Sequence, residues 1–252
     1  MSHHIIEVED LKYSYPDGTE ALRDLSFRIT HGESVALIGA NGAGKSTLLL
    51  HLAGLLFPQT GRVRLGGITV TRKNILQIRR RVGLVFQDPD DQLFMPTVFE
   101  EVAFAPVNMG VPPDEVKELV NSVLEQVGVS HLRPRPPYRL SHGEKRAVAL
   151  AAVLAGLPDV LLLDEPSAGL DPRARRQLIE LLRGFTHTKI VATHDLDLAW
   201  ELCPRTIILA AGTVAAEGPS REILGDEKLL RCCGLELPLR LQGGPLVGTT
   251  RE

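Results

Sequence analysis

Cysteine is sparse in this 252-residue chain, and the three present, Cys203, Cys232 and Cys233, build neither a disulfide framework nor a C-x-x-C pair. They are expected as reduced thiols. An excess of basic residues is also missing: 28 Lys and Arg stand against 31 Asp and Glu, a net charge of -3. That balance speaks against an electrostatic grip on nucleic acid, and no nucleic-acid partner is expected. Nor is there an unbroken apolar run long enough to cross a membrane. The longest, from Ala147 to Leu163, is interrupted by Pro158 and Asp159, where a helix would end and a strand begin. Met1-Ser2-His3-His4 lacks the basic and apolar regions of a signal peptide, so the chain is expected on the cytosolic side of its membrane, which it would reach through partners. His3 and His4, at a chain end, carry no metal assignment. No internal repeat or low-complexity tract is visible.

What is present is enough apolar material, 44% of residues against 23% charged, for one sizeable core. Residues 5–8 and 25–29 flank the polar turn Pro16-Asp17-Gly18 as antiparallel strands would. Residues 34–38 form a short apolar run, followed by a glycine-rich turn and a helical pattern over 46–56: strand, loop, helix. Helical spacing then dominates, with Pro112-Pro113 announcing a helix over 114–127. Buried-strand character returns at 160–163 and 189–193 around a helix at 172–184, the alternation of a parallel sheet. A strand-turn-strand pattern surrounds Gly212, and a helix is expected over 221–232. The expectation is an α/β fold with a parallel-sheet core, a small antiparallel β-layer and a helical lobe. It would form one domain over 1–240, with the lobe at about 88–156 and a flexible C-terminal tail over 241–252.

Gly39-Ala40-Asn41-Gly42-Ala43-Gly44-Lys45-Ser46, followed by Thr47, fits G-x-x-x-x-G-K-[ST] between a predicted strand and a predicted helix, which is the context this P-loop motif requires. Glycines let the backbone wrap an anion with its N–H groups, and the helix N-terminus adds positive potential. Lys45 would reach the β- and γ-phosphates of a nucleotide, and the Ser46 hydroxyl would ligate Mg²⁺. Asp164 and Glu165 end a predicted buried strand, where open α/β sheets place their ligand crevices. Asp164 suits a metal ligand and Glu165 a base for the attacking water; taken alone, the pair reads equally as caps of the following turn.

The ordered set Leu140-Ser141-His142-Gly143-Glu144, Asp164-Glu165, Gly169-Leu170-Asp171 and His194 resembles the ATPase subunits of ABC transporters. The resemblance runs from Tyr15 to the strands near Gly212 and implies a Mg-dependent ATPase with ATP and Mg²⁺ as cofactors. It implies further that residues 140–144 are the signature segment, which closes over ATP held by a second copy or a related ATPase, with Ser141, Gly143 and Glu144 facing the partner's nucleotide. A serine before a helix is, on its own, equally an N-cap. Gln87 matches the Q-loop residue that faces Mg²⁺ and the water, and His194 the histidine on the γ-phosphate. Tyr15 matches the aromatic residue stacked on adenine, with Tyr13 as its competitor, and Asp171 matches an acid at the dimer seam. The signature departs from the usual L-S-G-G-Q at His142 and Glu144. An acid near ATP is unfavourable unless it points away or pairs with a cation such as Lys145 or Arg146.

Residues 85–98, from Val85-Phe86-Gln87 to Pro96-Thr97-Val98, resemble the Q-loop region of energy-coupling factor importers, and Leu235-Glu236-Leu237-Pro238-Leu239 is similar to the cobalt and nickel branch. That resemblance implies a transmembrane coupling subunit docked on Asp88, Pro89, Asp90, Asp91 and Gln92, with Phe94 and Met95 exposed beside them. It also implies a substrate-capture membrane subunit and a peripheral location on the cytoplasmic face of the inner membrane. A vitamin importer and a non-transport ABC ATPase are the alternatives.

Overall fold

Residues 4–30 alternate apolar and polar side chains, the period of a strand with one buried face. In the computed structural model, which describes residues 4–242, they form β1 (His4–Ser14) and β2 (Glu20–Thr30), paired antiparallel across the turn at Pro16-Asp17-Gly18. Both strands outrun the sequence expectation because the pairing continues past irregularities, where Asp10 and Asp24 take the left-handed conformation. β3 (Ser34–Ile38) begins the central sheet and leads through the glycine-rich turn into α1 (Lys45–Leu52). β4 (Thr60–Leu65) and β5 (Ile68–Thr69), which did not stand out in the sequence, complete a four-stranded antiparallel sheet in the order β2-β1-β4-β5. α2 (Ile75–Arg79) and β6 (Val82–Val85) follow.

The next segment carries α3 (Val98–Asn108), α4 (Pro113–Gln126) and α5 (His142–Leu154), with two short 3-10 turns between α4 and α5. Thr97 and Ser141 start α3 and α5 by accepting backbone N–H groups three residues on. The chain then returns to the central sheet with β7 (Val160–Asp164), α6 (Pro172–Gly184), β8 (Thr188–Thr193), α7 (Leu196–Leu202), β9 (Arg205–Ala210) and β10 (Thr213–Pro219). The six strands lie in the order β10-β9-β3-β8-β7-β6, parallel except for the β9–β10 hairpin.

The helix expected over 221–232 is instead two, α8 (Ser220–Ile223) and α9 (Glu227–Cys232). Gly225 passes so close to the Arg221 carbonyl that a Cβ there would lie 2.8 Å from its oxygen, and Asp226 accepts the Leu229 N–H to begin a new helix. The described chain continues through a 3-10 turn at Leu239–Leu241, where Arg240 pairs with Asp197 and Glu201. Beyond Gln242 the tail assigned to 241–252 lies outside the described residues.

Strand alternation divides the interior in two. Ala36, Ile38, Leu161, Leu163, Val191 and Ile208 join the helices from α3 to α7, while Val35, Leu37, Leu162, Ile190, Ala192 and Leu209 join α1 and the antiparallel sheet. Cys203 belongs to the first core, and burial pushes its thiol up to about 12 against the opposing pull of Lys189, which leaves it a small apolar side chain rather than a nucleophile. Because five strands run parallel, the segments after β3, β6, β7 and β8 all emerge at one edge.

Leu161, with no exposed surface, lies in the middle of β7. Leu161→Ala is expected to destabilise the chain by about 2–5 kcal/mol in a urea titration. A loss below about 1 kcal/mol would show that this strand is not the packed centre of the fold.

Candidate functional site

The turn between β3 and α1 is dictated by close approaches. A Cβ on Gly39 would collide with the Leu209 carbonyl of β9, and one on Gly44, at φ 101°, would lie 2.7 Å from the Ala21 carbonyl of β2. α1 starts at Lys45 with no side-chain cap, which leaves its first N–H groups for an anion. The Lys45 ammonium is buried and donates to the carbonyls of Gly39 (2.7 Å) and Ala40 (3.3 Å), which underlie the loop. Asn41 through Thr47 line a cleft of about 400 Å³ together with Tyr15, Gln87, Asp164, Glu165 and His194. Tyr15 is tied to the loop by its hydroxyl, 3.0 Å from Thr47 Oγ1. Tyr13 does not line the cleft: its ring packs edge-on against Tyr15 and the buried His51, so it backs the aromatic wall.

β7 delivers two buried acids into this cleft. Burial holds the Asp164 carboxyl above the ordinary carboxylate range; the Ser46 hydroxyl opposes that, the Glu165 charge adds to it, and Lys45 opposes it. Asp164 Oδ1 is buried and accepts no hydrogen bond. An orphaned carboxylate oxygen beside the Ser46 hydroxyl and the Gln87 amide is a hard-oxygen donor set, which fits Mg²⁺. Glu165 is held differently. Its Oε2 accepts the Thr193 hydroxyl (3.0 Å) and the His194 N–H (3.2 Å), and lies 2.9 Å from His194 Nδ1. Neither acid therefore caps the following turn: Asp164 faces Ser46 and keeps one oxygen without a partner, and Glu165 reaches across to the end of β8.

The signature segment does not share this cleft. Ser141, Gly143, Glu144 and Asp171 are absent from its walls, and Gly143 instead borders a separate apolar cavity with Leu170. The sequence left Glu144 either to point away or to pair with a cation such as Lys145 or Arg146; the structure gives both cations other partners. Glu144 turns back to accept the Ser141 N–H (2.8 Å) while Ser141 Oγ accepts the Glu144 N–H (3.3 Å), a reciprocal cap that lowers the Glu144 pKa. Lys145 pairs with Asp90 (2.5 Å), and Arg146 donates to the Glu165 and Gln87 carbonyls (2.6 and 2.9 Å). Asp171 caps α6 through the Ala174 N–H (2.8 Å).

After Gln87 the chain makes a 3-10 turn capped by Asp88, which accepts the Asp90 N–H. Asp88, Asp90 and Asp91 are exposed, whereas Pro89 is buried and Gln92 points inward, accepting from Phe86 N–H (3.2 Å) and donating to the Ala149 carbonyl (3.0 Å). Phe94 is 66% exposed, edge-on to the Phe104 ring, but Met95 is half-buried. The reason is Glu101, which sequence reading missed: its buried carboxylate accepts the N–H groups of both Phe94 (2.8 Å) and Met95 (2.7 Å) and pulls this turn onto α3. Thr193 and Arg146 were also missed. A hydroxyl ending an apolar strand directly before His194 was the available signal for the first; the second had none beyond its place in α5.

The raised Asp164 pKa carries a sign. Its ionisation penalty is absent below the unfolded carboxyl's pKa and fully present above the folded one. In the nucleotide-free chain, Asp164→Asn should therefore raise the melting temperature by about 2–4 °C near pH 8 and bring little gain near pH 4. Differential scanning calorimetry at the two pH values checks this; a lower melting temperature for the variant at both would contradict it.

Comparison with known proteins agrees with this geometry. Residues 22–168 match the ABC transporter family. A putative ABC transporter ATP-binding protein of Geobacter sulfurreducens is 63% identical over 98% of this chain and all of its own length. The cobalt import ATP-binding protein CbiO of Rhodobacter capsulatus is 49% identical, covering 93% of this chain and 86% of its own. The energy-coupling factor transporter ATP-binding protein EcfA of Methanothermobacter thermautotrophicus is 46% identical, covering 93% and 77%. Among solved structures, cbiO1 of Clostridium perfringens, part of the ABC transporter complex cbiONQ, superposes with a TM-score of 0.79 at 39% identity over 92% of this chain and 94% of its own. The cassette MJ0796, solved as a dimer in a post-hydrolysis state with ADP and phosphate, also gives 0.79, at 27% identity over 86% and 99%. With a P-loop, a paired-acid strand end and a signature helix in one α/β frame, the chain belongs to the ABC transporter family as one of its ATP-hydrolysing subunits.

Proposed function

We propose that the chain is the ATP-driven motor of an energy-coupling factor importer for cobalt or nickel ions, working as a pair of copies. The observation that carries the hydrolytic part is the cleft itself, where Lys45, Ser46, Asp164 and Glu165 converge and which Ser141, Gly143 and Glu144 do not line. The loop N–H groups and Lys45 bind and orient the phosphates. Ser46, Asp164 and Gln87 would hold Mg²⁺, which would neutralise phosphate charge when bound. Glu165 orients a water on the γ-phosphorus and accepts its proton as the new P–O bond forms and the bond to the bridging oxygen breaks. His194, already 2.9 Å from that carboxylate, is the hydrogen-bonding group between Glu165 and the γ-phosphate. Tyr15 offers its face to the base.

One cleft is incomplete without a second. Ser141 and Gly143 open α5, where a hydroxyl and helix N–H groups can meet the γ-phosphate of the other copy, with Asp171 at the seam. Glu144 serves that helix end as its cap. On the outer side, Asp88, Asp90 and Asp91 beside the exposed Phe94–Phe104 pair form the face offered to a transmembrane coupling subunit. Among the described residues no helix is long and apolar enough to cross a membrane. The reading places the chain peripherally on the cytoplasmic face, with ion choice left to a substrate-capture membrane subunit. The likeness to CbiO and cbiO1 supports the metal ion over a vitamin.

Phosphate release by the purified chain with Mg-ATP is expected to rise faster than linearly with protein concentration. Glu165→Gln should lower turnover by about 10²-fold or more while ATP binding is retained. Linear scaling counts against the pair of copies, and an active Glu165→Gln counts against the assigned base. Cobalt uptake by vesicles carrying the membrane subunits, lost in Lys45→Ala, tests the cargo; uptake that persists in the variant removes the motor role.

A further inference from the structure

Arg146 lies one helical turn beyond His142 on α5, and each edge of its guanidinium goes to a different part of the chain. Nη1 donates to the Glu165 carbonyl (2.6 Å), Nη2 to the Gln87 carbonyl (2.9 Å) and Nε to His142 Nε2 (3.2 Å). The first two acceptors belong to the peptides that carry the acid and the amide of the hydrolytic cleft, not to their side chains.

The Glu165 peptide needs such a hold. Its φ of 45° lies in the left-handed region, which is strained for a residue bearing a Cβ. It is fixed on one side by the Glu165 N–H on the Ala192 carbonyl (2.8 Å) and on the other by Arg146. A rotation of this peptide would swing the carboxylate off Thr193 and His194. Gln87 stands in the bend just after β6, and Arg146 pins that bend to the helix.

His142 sets the guanidinium. Four residues before Arg146 and on the same helix face, it accepts the Nε–H, which requires its proton on Nδ1. Its ring edge lies beside the turn at Gly169, where a Cβ would be 3.6 Å from Cδ2. A planar fork meeting three acceptors in three directions is a geometry that a lysine ammonium does not reproduce.

On the reading of Glu165 and Gln87 given above, we propose that Arg146, oriented by His142, is a positioning residue for ATP hydrolysis: it sets the backbones of the acid and of the Q-loop amide against the helix that bears the signature segment. The test uses the full-length chain, with kcat and KM for ATP, the ATP dissociation constant and the melting temperature measured for each variant. Arg146→Ala and Arg146→Lys should both lower kcat by about tenfold or more with ATP affinity changed by less than about twofold. His142→Ala should lower kcat in the same way, and His142→Gln, whose side-chain oxygen can accept the Nε–H, should restore most of it. Should Arg146→Ala fail to fold, Arg146→Lys and the two His142 variants still decide the matter. Wild-type kcat in the Arg146 variants, equal kcat in His142→Ala and His142→Gln, or a fall in kcat matched by an equal loss of ATP affinity overturns the proposal. Glu165→Gln assayed alongside separates the two claims: if it turns over, the assignment of the base fails, and if it does not while the Arg146 variants do so normally, only the positioning role fails.

Discussion

Two carboxylates, side by side and almost fully buried at the end of β7, are the constraint around which the cleft is arranged. Like charges in a site of low polarity repel, and each has to be offset by something placed for it. The chain does this asymmetrically. Glu165 is given a hydroxyl, a backbone N–H and an imidazole from the end of β8, while Asp164 is left with one oxygen facing nothing. A divalent cation beside Ser46 would complete Asp164, and a water would complete Glu165. The parallel order of the sheet makes the arrangement possible, because adjacent strands deliver their ends to the same edge, with the P-loop one strand further on.

The same constraint accounts for the altered signature. His142 and Glu144 look disruptive beside a phosphate when read as isolated residues. Within α5 each has a local task. Glu144 lies where a helix N-terminus favours negative charge and is occupied by the Ser141 N–H, so its carboxylate is satisfied before any nucleotide arrives. His142 is engaged with Arg146, which in turn spans the bend after β6 and the end of β7. Both residues are thus engaged within the chain without displacing Ser141 or Gly143 from the start of the helix. Lys145 on Asp90 and Gln92 on the Ala149 carbonyl add two more fastenings between α5 and the turn after Gln87. The signature helix and the acidic turn beside Phe94 are thus joined by direct contacts.

Much of this was legible before any coordinates. The glycine spacing of the P-loop, the apolar run ending in two acids and the helix at 172–184 each carry a local physical signal, and the helix appears at its expected bounds. Elements that depend on pairing rather than on pattern were not legible. β4 alternates only over Arg62-Val63-Arg64-Leu65 and β5 is two residues long, too short to announce themselves; β4 pairs on the edge of β1 and β5 on β4. The break at Gly225 was hidden because the helical pattern resumes in phase on the far side. Within the cleft, the residue types at the reactive positions could be read from motif order, but their partners could not. The Ser141-x-x-Glu144 spacing of a capping box was there to be read and was missed, but nothing in the sequence says that Arg146 spans two loops or that Glu101 draws Met95 inward, since these are settled by tertiary geometry. Which of Tyr13 and Tyr15 borders the cleft was likewise visible only in the structure.

The central claim is that the cleft on one copy is finished by the signature helix of another when ATP is bound. Sedimentation velocity of the Glu165→Gln chain, which should hold ATP without consuming it, tests this directly. The account predicts a monomer without nucleotide and a dimer at saturating Mg-ATP, with the dimer abolished by placing a bulky side chain at Ser141. A chain that remains monomeric with ATP bound, or one that dimerises equally well with Ser141 blocked, would contradict it.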